Sequence, residues 1–161
     1  MNLDHLEARW RAGHILASEL PGVASELVAS GHDVPALRQL LATPAGEVRG
    51  DARRTFERAL RELGRGGMSQ SEAAMLLARR WARELLDCNL PPRRVTSAIA
   101  HVRFRGSADV DDALQPFCEL DDAYQASAER RLARFRLRAL DHRARREARR
   151  LLDRYPEDQR V

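Results

Sequence analysis

Residues 69–88 read SQSEAAMLLARRWARELLDC, and this stretch decides the fold class. Ala74, Leu77, Trp81, Leu85 and Cys88 recur at the three- and four-residue intervals of one helical face. Ser69, with Glu72 three residues on, has the form of a capping box, so the helix has a start signal as well as a face. Its stop is equally plain. Asn89-Leu90-Pro91-Pro92 interrupts the pattern, because proline cannot donate to a helix ladder and disfavours the helical conformation just before it.

The same grammar extends in both directions. Downstream, Val95, Ile99 and Val102 carry a helix toward Gly106. The loop Gly106-Ser107-Ala108-Asp109 then precedes an acidic segment, and Pro116 is expected to restart the helix at Phe117. Upstream, Gly64 stands at a helix C′ position behind the stripe Val48, Ala52, Phe56, Ala59 and Leu63. Arg65-Gly66-Gly67 predicts a hinge near residues 64–68 between two helical halves. Further upstream, Pro35 opens a short helix through Leu37, Leu40 and Leu41. Pro21 opens another that Gly31 ends, and Asn2 caps a first helix marked by Leu3, Leu6, Trp10 and Ala17. No run has the alternation of a strand. The expectation is an all-α, irregular or orthogonal bundle of about six to eight helices in one domain over residues 1–161. Trp10, Phe56, Leu77, Trp81, Leu85, Ile99, Phe117 and Leu137 are its expected core members.

The chain is 43% hydrophobic, 32% charged and 5% aromatic, enough apolar material for a core built from Leu, Ala and Val. That balance excludes wholesale disorder, and no apolar run reaches the roughly 18 residues of a membrane span. The first twenty residues carry Asp4, Glu7, Arg9 and Arg11 in an amphipathic pattern, which is not a secretory signal. Cys88 and Cys118 form no CxxC and have no histidine at ligand spacing, so the reading is a reduced, cytoplasmic chain.

All 28 cationic side chains are arginine, and their distribution is uneven. Residues 1–64 carry a net −1, 65–106 a net +5, 107–128 a net −6 and 129–161 a net +6. The last block is read as a long arginine-rich helix. Ala133, Leu137, Leu140, Ala144, Ala148, Leu151 and Tyr155 fall on one stripe. Arg131, Arg134, Arg138, His142, Arg145 and Arg149 fall on its neighbour, and Leu132, Phe135 and Ala139 on a third face without later apolar continuation. This predicts burial on two sides early in the helix and on one side late. Residues 130–154 would run about 37 Å as one helix, against a radius of gyration of about 15 Å for a compact domain. The far end is therefore expected to protrude or to pack on another chain, a second copy included.

Chemistry-bearing motifs are absent. None of His5, His14, His32, His101 and His142 belongs to a metal-ligand or catalytic motif. Gly64-Arg65-Gly66-Gly67 lacks the lysine and preceding strand of a phosphate loop. The acids Asp109, Asp111, Asp112, Glu119, Asp121 and Asp122 lack Ca²⁺-loop spacing and its central glycine. Asp121 and Asp122 are read as first-turn acids of the helix opened by Pro116, favourable to its dipole, and Asp109 as a cap. The expectation is therefore a chain without catalytic activity, cofactor or metal. Its candidate partner-binding residues are Asp109, Asp111, Asp112, Asp121, Asp122, Arg131, Arg134, Arg138, Arg145 and Arg149.

Two function classes remain open. Ser30-Gly31-His32-Asp33-Val34-Pro35-Ala36-Leu37-Arg38-Gln39-Leu40, the run Phe56 to Gly64, Trp81 to Leu86, Leu90-Pro91-Pro92 and Phe117 to Tyr124 together resemble small, all-helical, uncharacterised bacterial proteins common in GC-rich genomes. Some of those are similar to immunity proteins that neutralise secreted toxins. The resemblance covers the middle two-thirds of the chain and implies a protein-interaction module. The arginine stripe lies outside it. As a run of phosphate-seeking forks, that stripe supports the alternative, nucleic-acid binding.

Overall fold

The computed structural model describes residues 2–42, 51–88, 90–102, 108–128 and 133–156, and every regular element among them is helical. The helices are α1 Leu3–Arg11, α2 Leu20–Ala29, α3 Pro35–Ala42, α4 Asp51–Glu62, α5 Gln70–Asp87, α6 Pro92–His101, α7 Ala108–Ala128 and α8 Ala133–Arg154, with a short 3₁₀ turn at Ala17–Glu19. They fall into two compact units, Met1–Ser69 and Gln70–Val161.

In the first unit, the helix ends follow from local chemistry. The Asn2 side chain accepts the His5 backbone N–H at 3.1 Å, capping α1. α1 ends at Arg11, short of the Ala17 expected on it, and α1, α2 and α4 all close on glycines with positive φ, Gly13, Gly31 and Gly64. At each, the glycine N–H and the next residue's N–H fold back onto the last-turn carbonyls; after α4, Gly64 donates to Arg61 and Arg65 to Leu60. That double bond pattern needs a left-handed residue, which glycine adopts without a Cβ penalty. The start of α3 is completed from elsewhere, since the Glu62 carboxylate of α4 accepts the Ala36 N–H at 3.0 Å. The core joins Leu6, Ile15, Leu20, Leu27, Leu37, Leu40 and Leu60 around an edge-on pair, Trp10 and Phe56, with ring centroids 4.9 Å apart. The Arg53 guanidinium lies 5.5 Å above the Trp10 ring.

The glycine stretch expected as a hinge is tied along its length to α1. Glu7, only 3% exposed, accepts the backbone N–H groups of Gly66 and Met68, each at 3.0 Å. Arg11 donates to the Gly66 carbonyl at 2.8 Å, and Arg65 pairs with Asp4.

In the second unit, α6 packs on α7 and α5, and α8 lies along α5, α7 and α6. Val95, Ile99, Leu114, Phe117, Leu120, Tyr124, Ala144, Ala148 and Leu151 are buried, with Leu77, Ala78 and Leu85 from α5. α5 starts directly after Ser69, as the capping-box spacing predicts. Trp81 and Leu137, expected in the core, are only partly buried. Trp81 does not reach the burial of Trp10, and Leu137 lies in the half of α8 whose Phe135, Arg138 and Ala139 are exposed.

Three sequence expectations are corrected here. α7 does not restart at Pro116 but runs through it. The proline removes one ladder bond, to the Asp112 carbonyl, while buried Leu114 and Phe117 hold the helix on both sides. Asp109 consequently sits in the first turn of α7 and not at a cap, and Asp121 and Asp122 lie past its middle. The burial gradient along α8 is also the reverse of that predicted. Phe135 is 86% exposed and Ala139 is exposed, whereas Ala144, Ala148 and Leu151 are buried. The small residues at 144 and 148 admit close helix packing, so α8 is gripped by its C-terminal half.

Candidate functional site

α7 and α8 carry the opposed charge blocks, and the structure pairs them side by side. Tyr124 of α7, 1% exposed, donates its hydroxyl to Asp141 Oδ1 of α8 at 2.8 Å. One turn and a half away, Arg143 of α8 meets Glu119 of α7 at 3.0 Å. The two helices are thus antiparallel, locked by a partly buried phenol–carboxylate bond and by an exposed ion pair. Burial, then the bond and the negative charge of Asp141, push the Tyr124 hydroxyl well above its ordinary value of 10, and nearby Arg145 opposes the shift.

A pH prediction follows from that shift. A tyrosine whose folded pKa is raised contributes stability that is complete below the unfolded value and is lost as pH rises beyond it, because the unfolded chain releases the proton first. The second unit is expected to lose stability from about pH 10 upward. Tyr124→Phe is expected to abolish that alkaline component while costing about 1–2 kcal/mol at neutral pH, through the bond to a charged acceptor. Urea midpoints from pH 8 to 11 check it; an unchanged alkaline slope in the variant would rule the assignment out.

The candidate residues distribute unevenly over this pair. On α7, Asp112 and Asp122 are exposed and share a face with Glu119, while Asp111 is half-buried. Asp121 is not offered to a partner: it is 8% exposed and accepts the Gln125 side chain at 2.9 Å. It stands four residues after Phe117 and seven after Leu114, on the helix's buried face, a signal the sequence carried. On α8, Arg138 and Arg149 are exposed, as is His142 between them. Arg145 is half-buried toward Tyr124. Arg131 lies outside the described residues, and Asp109 and Arg134 are placed by their backbone alone. Residues not anticipated from the sequence complete the surface: Arg143 is held by Glu119, and Arg146 and Arg150 both lean on Glu147, at 3.7 and 3.0 Å.

What the solvent face of α8 presents is therefore a ridge. Phe135, Arg138, His142 and Arg149 follow one another within about 60° of rotation over about 21 Å. Among the described residues, neither Arg138 nor Arg149 has a carboxylate partner, and no group of three His, Cys, Asp or Glu side chains could hold a metal. No helix among them is long and apolar enough to cross a membrane. Cys88 is exposed at the end of α5, Cys118 is half-buried in α7, and no disulfide joins them. No protein family, curated protein or solved structure matches the chain.

Proposed function

We propose that the chain is a cytoplasmic protein-interaction module without catalytic activity, and that its contact surface is the solvent face of α8 with the flanking acids of α7. The observation that carries this reading is Phe135, 86% exposed in line with Arg138, His142 and Arg149. Aromatic and arginine side chains are enriched where protein surfaces meet, and a few such anchors supply most of the binding energy. The complementary surface has an apolar pocket for the ring and carboxylates for the arginines. Asp112, Glu119 and Asp122 on the adjacent face add the opposite sign, which suits a protein with mixed charge. Two copies joined ridge to ridge would bring arginines together, so the partner is a different protein. An immunity-like role, neutralising a toxin, is the specific form that the quoted segments resemble, with the α7 acids meeting a basic target.

The second reading, nucleic-acid binding, draws on exposed Arg138 and Arg149, about 16 Å apart along α8. The neighbouring α7 carboxylates weigh against it, because they repel phosphates. Photo-crosslinking from a benzophenone side chain at position 135 is expected to trap one stoichiometric protein adduct in cells of origin, and Arg138→Ala with Arg149→Ala to reduce it at least tenfold, about 1.4 kcal/mol. In parallel, duplex DNA affinity is expected to be weak and to vanish near physiological salt, where a few phosphate contacts no longer hold. Sub-micromolar DNA affinity at that salt, lost in the double variant, would establish the second reading instead.

A further inference from the structure

A second charged feature lies in the first unit. Between α3 and α4 runs an open groove of about 370 Å³ lined by Gln39, Asp51, Arg54, Thr55, Arg58 and Arg61. The spacing of three arginines at 54, 58 and 61 places them within about 60° of one another on α4, over about 10 Å of its length. Like charges one turn apart oppose helix formation, and the structure only partly compensates them. Arg54 meets Asp51 at 3.4 Å, both side chains almost fully exposed. Arg58 reaches Glu62 at 3.6 Å and the Gln39 side chain, but Glu62 is also committed to the Ala36 N–H. Arg61 makes one long bond, to the Glu57 carbonyl at 3.4 Å, and pairs with no carboxylate among the described residues. Among the described residues, the lining thus holds three guanidinium groups against one carboxylate.

We infer that this groove binds an oligophosphate chain. Guanidinium forks pair bidentately with phosphoryl oxygens, and three of them in a row call for an anion that is both multiply charged and extended. A lone phosphate would engage one fork or two. The exposed Arg54–Asp51 pair contributes little and exchanges readily for a ligand oxygen. The Gln39 amide and the Thr55 hydroxyl add neutral hydrogen-bonding groups along the wall. A free oligophosphate and the tail of a nucleotide present the same oxygens to the arginines, and the titrations below separate them.

The test is calorimetric titration of the full chain at physiological salt with inorganic tripolyphosphate, a nucleoside triphosphate and orthophosphate. Tripolyphosphate is expected to bind saturably, orthophosphate at least tenfold more weakly. Nucleoside triphosphate binding as tight as tripolyphosphate would assign a nucleotide tail, and weaker binding a free chain. Arg54→Ala and Arg61→Ala, both at exposed side chains, are each expected to raise Kd about tenfold, with the guanidinium Nε–Hε signals of residues 54, 58 and 61 shifting together in the wild type. Arg138→Ala with Arg149→Ala is expected to leave this binding unchanged. Loss of binding in that α8 variant with none in the groove variants would overturn the inference, as would no saturable binding up to 1 mM; neither result bears on the protein-partner reading.

Discussion

Glu7→Ala is expected to remove about 2–4 kcal/mol from the first unit. The effect is large because the carboxylate is buried at 3% exposure and serves the backbone: it accepts the N–H groups of Gly66 and Met68, both at 3.0 Å. Truncation strands two partly buried donors and leaves the Arg11 guanidinium, 3.9 Å away, without its nearest charge. Glu7→Gln keeps one acceptor oxygen and should cost about half as much. Urea unfolding followed by Trp10 emission, in a Trp81→Phe background so that only the first unit reports, measures both. Hydrogen exchange at Gly66 and Met68 should accelerate in the alanine variant before global unfolding does. A loss below about 1 kcal/mol would mean that the glycine stretch is held by its own turn geometry and not by α1.

Phe56→Ala is expected to cost about 3–5 kcal/mol, the range for deleting a fully buried aromatic side chain. Its ring is inaccessible and stands edge-on to Trp10 at 4.9 Å, an arrangement contributing about 0.5–1.5 kcal/mol beyond area burial. Since domains of this size have total stabilities of about 5–15 kcal/mol, the variant should approach its unfolding midpoint at modest temperature, with Trp10 emission shifted to the red. Phe56→Leu should retain most of the stability but lose the near-ultraviolet signal of the ring pair. A small effect in both variants would remove Phe56 from the centre of this core.

Both sites show what a sequence can and cannot carry. Phe56 was legible, because a core position announces itself by spacing along its own helix. Glu7 was not. Beside Arg11 it looks like an ordinary one-turn ion pair on a surface, and its real partners stand 59 and 61 residues away. The same holds for Glu62, whose capping of α3 depends on where α4 lies and not on any neighbour in the chain. Asp121 is intermediate: its register with Leu114 and Phe117 marked it as inward-facing. Because the helix does not start at Pro116, Asp121 lies past the middle of α7 on its buried face.

The sequence by itself determined the all-helical class, the helix starts at Asn2, Pro35 and Ser69, the stops at Gly31 and Gly64, and the inward faces of α4 and α6. These depend on backbone stereochemistry and on periodicity, which are local. Only the tertiary structure decided which charges are spent and which are offered. Arg143 is taken by Glu119, Arg145 turned toward Tyr124, and Arg138 left in solvent beside Phe135, although all three lie on one arginine-rich helix. Periodicity assigns a side chain to a face, but its burial depends on how far the neighbouring helix extends along that face. On α8 the covering helices grip Ala144, Ala148 and Leu151 and leave Phe135 exposed.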